Sequence, residues 1–129
     1  MMEKPTVYLF LNKSLHMSVG KAAAQAAHAA IMAVIETYNP KFWTDAVHRY
    51  VIVLEARNEV HIRNIKDYLE ERGIRARYIV DEGINEVDPQ TITALATDIV
   101  DKDDARVQLA LSSFDLYRDD IKVTLEVPR

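Results

Sequence analysis

Apolar residues fall along this chain in short blocks separated by polar, turn-forming stretches, and the period changes from block to block. Residues 6–11 (TVYLFL) are an unbroken run of strand formers, which predicts a buried strand. Residues 12–17 read as a loop. Ser18 is placed to cap a helix with Gly20 in its first turn, and the helix runs to about Thr37, where Asn39 and Pro40 stop it. Residues 41–48 read as a connection carrying the only tryptophan, Trp43, and residues 50–54 (YVIVL) as a second buried strand. Asn58 can cap a helix over 59–72 whose apolar side is Val60, Ile62, Ile65 and Leu69, with Gly73 at the position after the helix end where glycine is favoured. Residues 76–80 predict a third strand, 81–89 a loop and 91–97 a fourth strand. Asp101, Asp103 and Asp104 favour the start of a helix that runs to about Ser112. Residues 121–127 (IKVTLEV) alternate and read as a last, edge-like strand.

Strands that alternate with helices and are themselves strongly apolar imply an α/β layer fold, with helices packed on both faces of one sheet. The strand–helix–strand unit makes the first two strands parallel. Ligands in such sheets bind beyond the carboxyl ends of strands. Lys21 follows the first strand by one loop, and Asp81 directly follows the third. With those strands parallel, Lys21 and Asp81 converge on one rim.

The chain has 129 residues, 49% of them apolar, which predicts one compact domain with a real core. It has no cysteine, so disulfides and cysteine-based zinc sites are excluded. The N-terminal residues lack a signal-peptide pattern and no apolar run approaches ~20 residues, so the expectation is a cytoplasmic protein without a membrane span. The net charge of −4 is unlike that of most nucleic-acid binders, so any such contact needs a local basic patch. Arg63, Lys66, Arg72, Arg75 and Arg77 offer one. They also fit a solvated helix face with cations near its C-terminus.

Lys21, Gln25 and His28 stand at i, i+4 and i+7, within roughly a 60° arc of one helix face, by the ~3.6-residue turn. Every other position from Ala22 to Ala30 is alanine. Such a polar stripe must reach water or find partners. It reads either as a solvated face or as part of a site. The helix start at Ser18, Val19, Gly20 and Lys21 could hold a small anion, but it lacks the first glycine and the final hydroxyl of a phosphate-binding loop. Ser18 and Lys21 share the S-x-x-K spacing of serine acylases, whose other motifs are absent. Asp81, Glu82, Glu86 and Asp88 form either an acidic surface turn or a lip of the rim. Their spacing does not match a calcium-binding loop, and no metal is expected. His16, His48 and His61 are too scattered to form a triad.

Leu15, Met17 and Gly20-Lys21-x-Ala23-Ala24-Gln25-x-x-His28-Ala29 resemble the first-helix signature of the archaeal/eukaryotic-type (type 2) peptidyl-tRNA hydrolases. The second signature of that family, close to D-A-G-R-T-Q-V-x-P-G-T-x-T, stands here as the run from Asp81 to Thr93, DEGINEVDPQTIT. The family threonine falls on Asn85, its arginine on Ile84 and its glutamine on Glu86. At the exit of the first strand the usual arginine and aspartate are Asn12 and Ser14, and the other lysine of the K-G-K pattern is Val19.

The resemblance implies a single domain around a mixed sheet of four to five strands. It implies hydrolysis of the ester between a peptide and the 3′ end of tRNA without metal or organic cofactor, in a homodimer. It assigns Lys21, Asp81 and Asn85 to catalysis, and Gly20, Gln25, His28, Thr91 and Thr93 to substrate binding. The lost cations and the acidic loop imply weaker, less salt-sensitive tRNA binding. The alternative is a catalytically silent or retargeted binding domain on the same fold, and a third reading is an α/β protein binding a small anion at the Gly20 end. Lys21→Ala is expected to leave folding nearly untouched, because alanine suits a helix.

Overall fold

The computed structural model describes residues 2–81 and 90–118. The loop positions Ile84, Asn85 and Glu86 and the expected strand over 121–127 lie outside the described residues. The elements are β1 (Pro5–Asn12), α1 (Val19–Glu36), α2 (Lys41–Thr44), β2 (Tyr50–Ala56), α3 (Glu59–Glu71), β3 (Ala76–Asp81), β4 (Thr91–Thr97), β5 (Val100–Asp101) and α4 (Ala105–Leu111).

The sheet order is β2-β1-β4-β3, with β5 paired to the start of β1. β1 and β2 are parallel, with Phe10 opposite Leu54. β4 runs antiparallel to both β1 and β3, so β1, β2 and β3 share one direction and their carboxyl ends share one rim. Every residue of β1 is buried, as its unbroken apolar run requires. Val7, Leu9 and Leu11 face α1 on one side. Tyr8 and Phe10 face α3 and α4 on the other, with Ile62, Ile65, Leu69, Leu95 and Leu111. After α4 the chain turns along the free edge of β2, where the Glu55 N–H donates to Asp115 O and the Tyr117 N–H to Val53 O.

Local signals act where the sequence puts them. Ser18 Oγ accepts from the Lys21 N–H, and Asn58 Oδ1 from the His61 N–H, so both cap their helices. Gly73 takes a φ of 77°, the left-handed conformation that costs glycine least. Some details differ from expectation. The connection at 41–48 contains the one-turn α2, β2 continues through Ala56, and β5 forms before the last helix. Asp104 caps α4 by accepting from the Arg106 N–H.

Candidate active site

The shared rim gathers side chains from α1, β3 and β4. Lys21 leaves the first turn of α1 toward β3, and its ammonium donates to Asp81 Oδ2 at 2.6 Å. Only 8% of the Lys21 side chain and 5% of the Asp81 side chain remain exposed. Gln25, one turn further on, donates from Nε2 to the same carboxylate oxygen at 3.3 Å. Its Oε1 accepts from the Thr93 hydroxyl at 2.8 Å, and that hydroxyl also lies 3.3 Å from the Ile79 carbonyl oxygen. Thr93, Gln25, Asp81 and Lys21 are thus one connected polar chain inside an otherwise apolar layer.

Two sequence features make this chain possible. Ala22, Ala29 and Ala33 on α1 pack in the same cluster as Ala94 and Ala96 on β4. With side chains this small the helix lies close to the sheet, and a glutamine can span the gap. The second feature is a bulge. Ile79 pairs with Ala94 but Val80 pairs with Ile92, which leaves Thr93 as the extra residue. Strict alternation from Ala94 would send Thr93 away from α1, whereas the bulge lets its hydroxyl reach Gln25 on α1.

Other expected residues divide between this chain and its surroundings. Thr91 pairs with Asp81 in the ladder and is half-buried. Gly20 is exposed, with nothing within 4 Å of where a Cβ would stand. His28 is exposed at the surface and stands apart from the buried contacts of Lys21 and Gln25. The helix explains the difference. At about 100° per residue, Gln25 lies some 45° from the middle of the buried stripe, Lys21 about 85° and His28 about 105°. Lys21 reaches inward on a long side chain; His28, two turns along, does not. Asn85 lies outside the described residues.

The buried ion pair changes one expectation. Removing one member of such a pair leaves a desolvated charge behind, typically at about 3–5 kcal/mol. Lys21→Ala therefore weakens the fold as well as the site.

Sequence reasoning noted Asn12 only as a departure from the family pattern and did not single out Gln90. Asn12 is almost fully buried. Its Nδ2 donates to Ile92 O at 2.9 Å, and its Oδ1 accepts from the Ser14 N–H and hydroxyl. It ties the exit of β1 to β4, and an asparagine directly after a strand was the available signal. Gln90 donates its N–H to Asp81 O at 2.8 Å and holds a φ of 65°. It occupies the place of the glycine in the second signature, where a left-handed backbone suits glycine best.

The basic cluster around α3 is internally compensated. Arg63 pairs with Glu59, Lys66 with Glu70, Arg72 with Glu71, Arg75 with Asp98, and Arg77 with both Glu36 and Asp98. Burial pulls the Arg77 guanidinium pKa below its usual value, against the raising effect of Glu36. Among the two readings of these residues, the solvated and paired helix face describes the geometry.

The family model described as Peptidyl-tRNA hydrolase PTH2 matches residues 6–117. The chain belongs to this family. PTH2 is an enzyme family, and its members supply the relatives of this chain. The Peptidyl-tRNA hydrolase of Thermococcus onnurineus (strain NA1) is 33% identical over 103 residues, covering 73% of this chain and 87% of the relative. That of Haloquadratum walsbyi (strain DSM 16790 / HBSQ001) is 33% identical over 105 residues, covering 80% and 91%. That of Pyrobaculum aerophilum is 30% identical over 99 residues, covering 68% and 82%. In this PTH2 chain the matched span runs from the second residue of β1 through α4 and contains the whole Lys21–Asp81–Gln25–Thr93 chain.

Proposed function

We propose that this chain hydrolyses the ester joining a peptide's C-terminus to the 3′ end of tRNA, with Lys21 and Asp81 at the reacting centre. The observation that carries the reading is the buried 2.6 Å contact between Lys21 Nζ and Asp81 Oδ2 on the sheet rim, in a PTH2 family member. An ammonium has three donors. One is spent on Asp81, and the others serve the oxygen on which charge develops when water attacks the ester carbon. Asp81 fixes the ammonium, orients the water and takes its proton. That proton passes to the departing 3′ oxygen as the tetrahedral intermediate collapses. The products are a peptide acid and tRNA.

Gln25, oriented by Thr93, positions the carboxylate. Asn85 supplies a donor in place of the family threonine, and Gly20, His28 and Thr91 contact the substrate's 3′ end. No metal or organic cofactor takes part in this scheme. Because the cations around α3 are paired, contact with tRNA falls to the rim and depends weakly on salt. A homodimer and a place in the cytoplasm complete the reading. Among the described residues no helix is long and apolar enough to cross a membrane.

Steady-state hydrolysis of N-acetyl-aminoacyl-tRNA tests it. The protein is expected to release the N-acetyl-amino acid, and Asp81→Asn to lower kcat by about a hundredfold. A folded wild-type protein that releases nothing would overturn the reading in favour of the binding domain.

A further inference from the structure

The two flanks of α1 differ. Lys21 and Gln25 leave it toward β3. On the opposite flank, over β1 and β2, lies a cleft of about 310 Å³. Among the described residues it is lined by Leu11, Met17, Val19, Ala23, Val53 and Tyr117, with Ala22 and Ala26 on its floor. The tyrosine is the only polar side chain in that wall. Val19 stands 77% exposed at its mouth, at the position where the K-G-K pattern of the family has a lysine.

We infer that this cleft binds an apolar side chain of the peptide carried by the tRNA, about three residues from the ester. This rests on the hydrolase reading above. Three observations select that occupant. Among the described residues no ionised side chain lines the cleft, so it offers no full charge to a phosphate, and Val19 in place of lysine removes the one cation the pattern would have placed there. Its volume sits at the low end for ligand sites of about 300–1,000 Å³, enough for one or two large side chains. It lies beside the same first turns of α1 that carry Lys21, on the opposite flank, one helix width from the Lys21–Asp81 pair.

The route between the two sites crosses the outer face of α1. That face is Gly20, Ala23, Ala24 and Ala27, all exposed and all small. A Cβ on Gly20 would meet nothing, so packing does not demand the glycine, and its absence of side chain leaves the crossing low. A helix is about 10–12 Å across with its side chains, and an extended chain spans ~3.3 Å per residue, which sets the offset of about three residues.

The test compares two esters on one tRNA. One carries N-acetyl-alanine, which ends before the cleft. The other carries an N-acetyl tetrapeptide with leucine in the three positions before the terminal alanine. For the wild-type protein the tetrapeptide is expected to have the higher kcat/KM by about tenfold, mostly through KM. The same tetrapeptide with aspartate in place of leucine should lose that advantage. Val19→Asp, which sits at an exposed helix start that tolerates an acid, and Ala23→Phe, which occupies the cleft, should each bring the leucine-to-alanine ratio close to one. Equal kcat/KM for leucine and aspartate peptides would overturn the inference while leaving the hydrolase reading intact. No turnover of either ester would overturn the hydrolase reading instead. A Val19→Asp protein that turns from dimer to monomer in sedimentation with its peptide ratio unchanged would give the cleft to a second copy of the chain.

Discussion

The two faces of the sheet bury different shares of small residues, and the candidate site lies on the face richer in alanine. Against α3 and α4 the core includes Phe10, Leu54, Ile62, Ile65, Leu69, Leu95 and Leu111 beside three alanines, with Phe114 edge-on to Phe10 at 5.0 Å. Against α1 it includes Ala22, Ala29, Ala33, Ala94 and Ala96. The first face holds its layers apart with bulk, and polar groups such as the Tyr68 hydroxyl, which donates to Ala110 O, sit at its margin. The second draws helix and strand together until Gln25 bridges them and Lys21 reaches Asp81. Large side chains stabilise, and small ones leave room for chemistry. The same molecule separates these tasks across the thickness of one sheet.

The strongest test of that division removes bulk from the far face. Leu69→Ala deletes a fully buried side chain and should cost about 2–5 kcal/mol by denaturant unfolding. Turnover per folded molecule should stay near the wild-type value. A specific loss of kcat in the folded fraction would show that the two faces are coupled. Lys21→Ala should do both kinds of damage. We expect kcat to fall by about a hundredfold with little change in KM, as for a lost charge-assisted contact worth ~3 kcal/mol in the transition state, together with a lower melting temperature. Unchanged turnover would remove Lys21 from the mechanism.

Ala29→Leu probes the close approach itself. Adding bulk at a site with no exposed surface should destabilise by about 1–3 kcal/mol and push α1 off the sheet. Activity should drop although no polar group is touched. If it does not, contact between α1 and the sheet is not what holds Lys21 against Asp81. Gln90→Gly relaxes a left-handed residue hydrogen-bonded to Asp81 and should stabilise by about 1 kcal/mol.

The smallest effect concerns pH, on the far face. His61 Nδ1 accepts from the Arg57 N–H at 3.0 Å, and its pKa is lowered from 6.5, first by burial and then by the charge of Arg57. The unfolded chain therefore takes up this proton first as pH falls. Stability is full above about pH 7 and declines as pH drops through 6.5 toward the lower native value. Melting scans of His61→Ala should lose part of that slope. An identical slope would show that this histidine does not contribute.

Much of the architecture was legible because single residues dictate it. The run from Thr6 to Leu11 can only be a strand covered on both faces, and Ser18, Asn58 and Gly73 mark helix ends by local hydrogen bonding and backbone conformation. Lys21 and Asp81 could be paired because each follows a strand of the same direction. What escaped depends on partners far along the chain or on very short elements. β5 has two residues and α2 four, too few to show a period. The partners of Arg77 lie at Glu36 and Asp98, so its neutralisation is a tertiary fact. The bulge at Thr93 arises from pairing with β3, and nothing in residues 91–97 alone announces it. The stripe of Lys21, Gln25 and His28 was correct as a helix face, but which member turns inward depends on where the sheet lies.

The strand order also sets when the site can exist. β4 lies between β1 and β3, yet among the described residues it is the last of the four long strands to leave the ribosome. Until Thr97 has emerged, β1 and β3 have no strand to join them. Lys21 and Asp81, 60 residues apart, are held together by nothing but a loop whose closure is entropically unfavourable. Non-local pairings of this kind form late in folding. A half-made chain thus has its helix and its carboxylate but not the buried Lys21–Asp81 pair, and the proposed centre forms only when the fold is nearly complete.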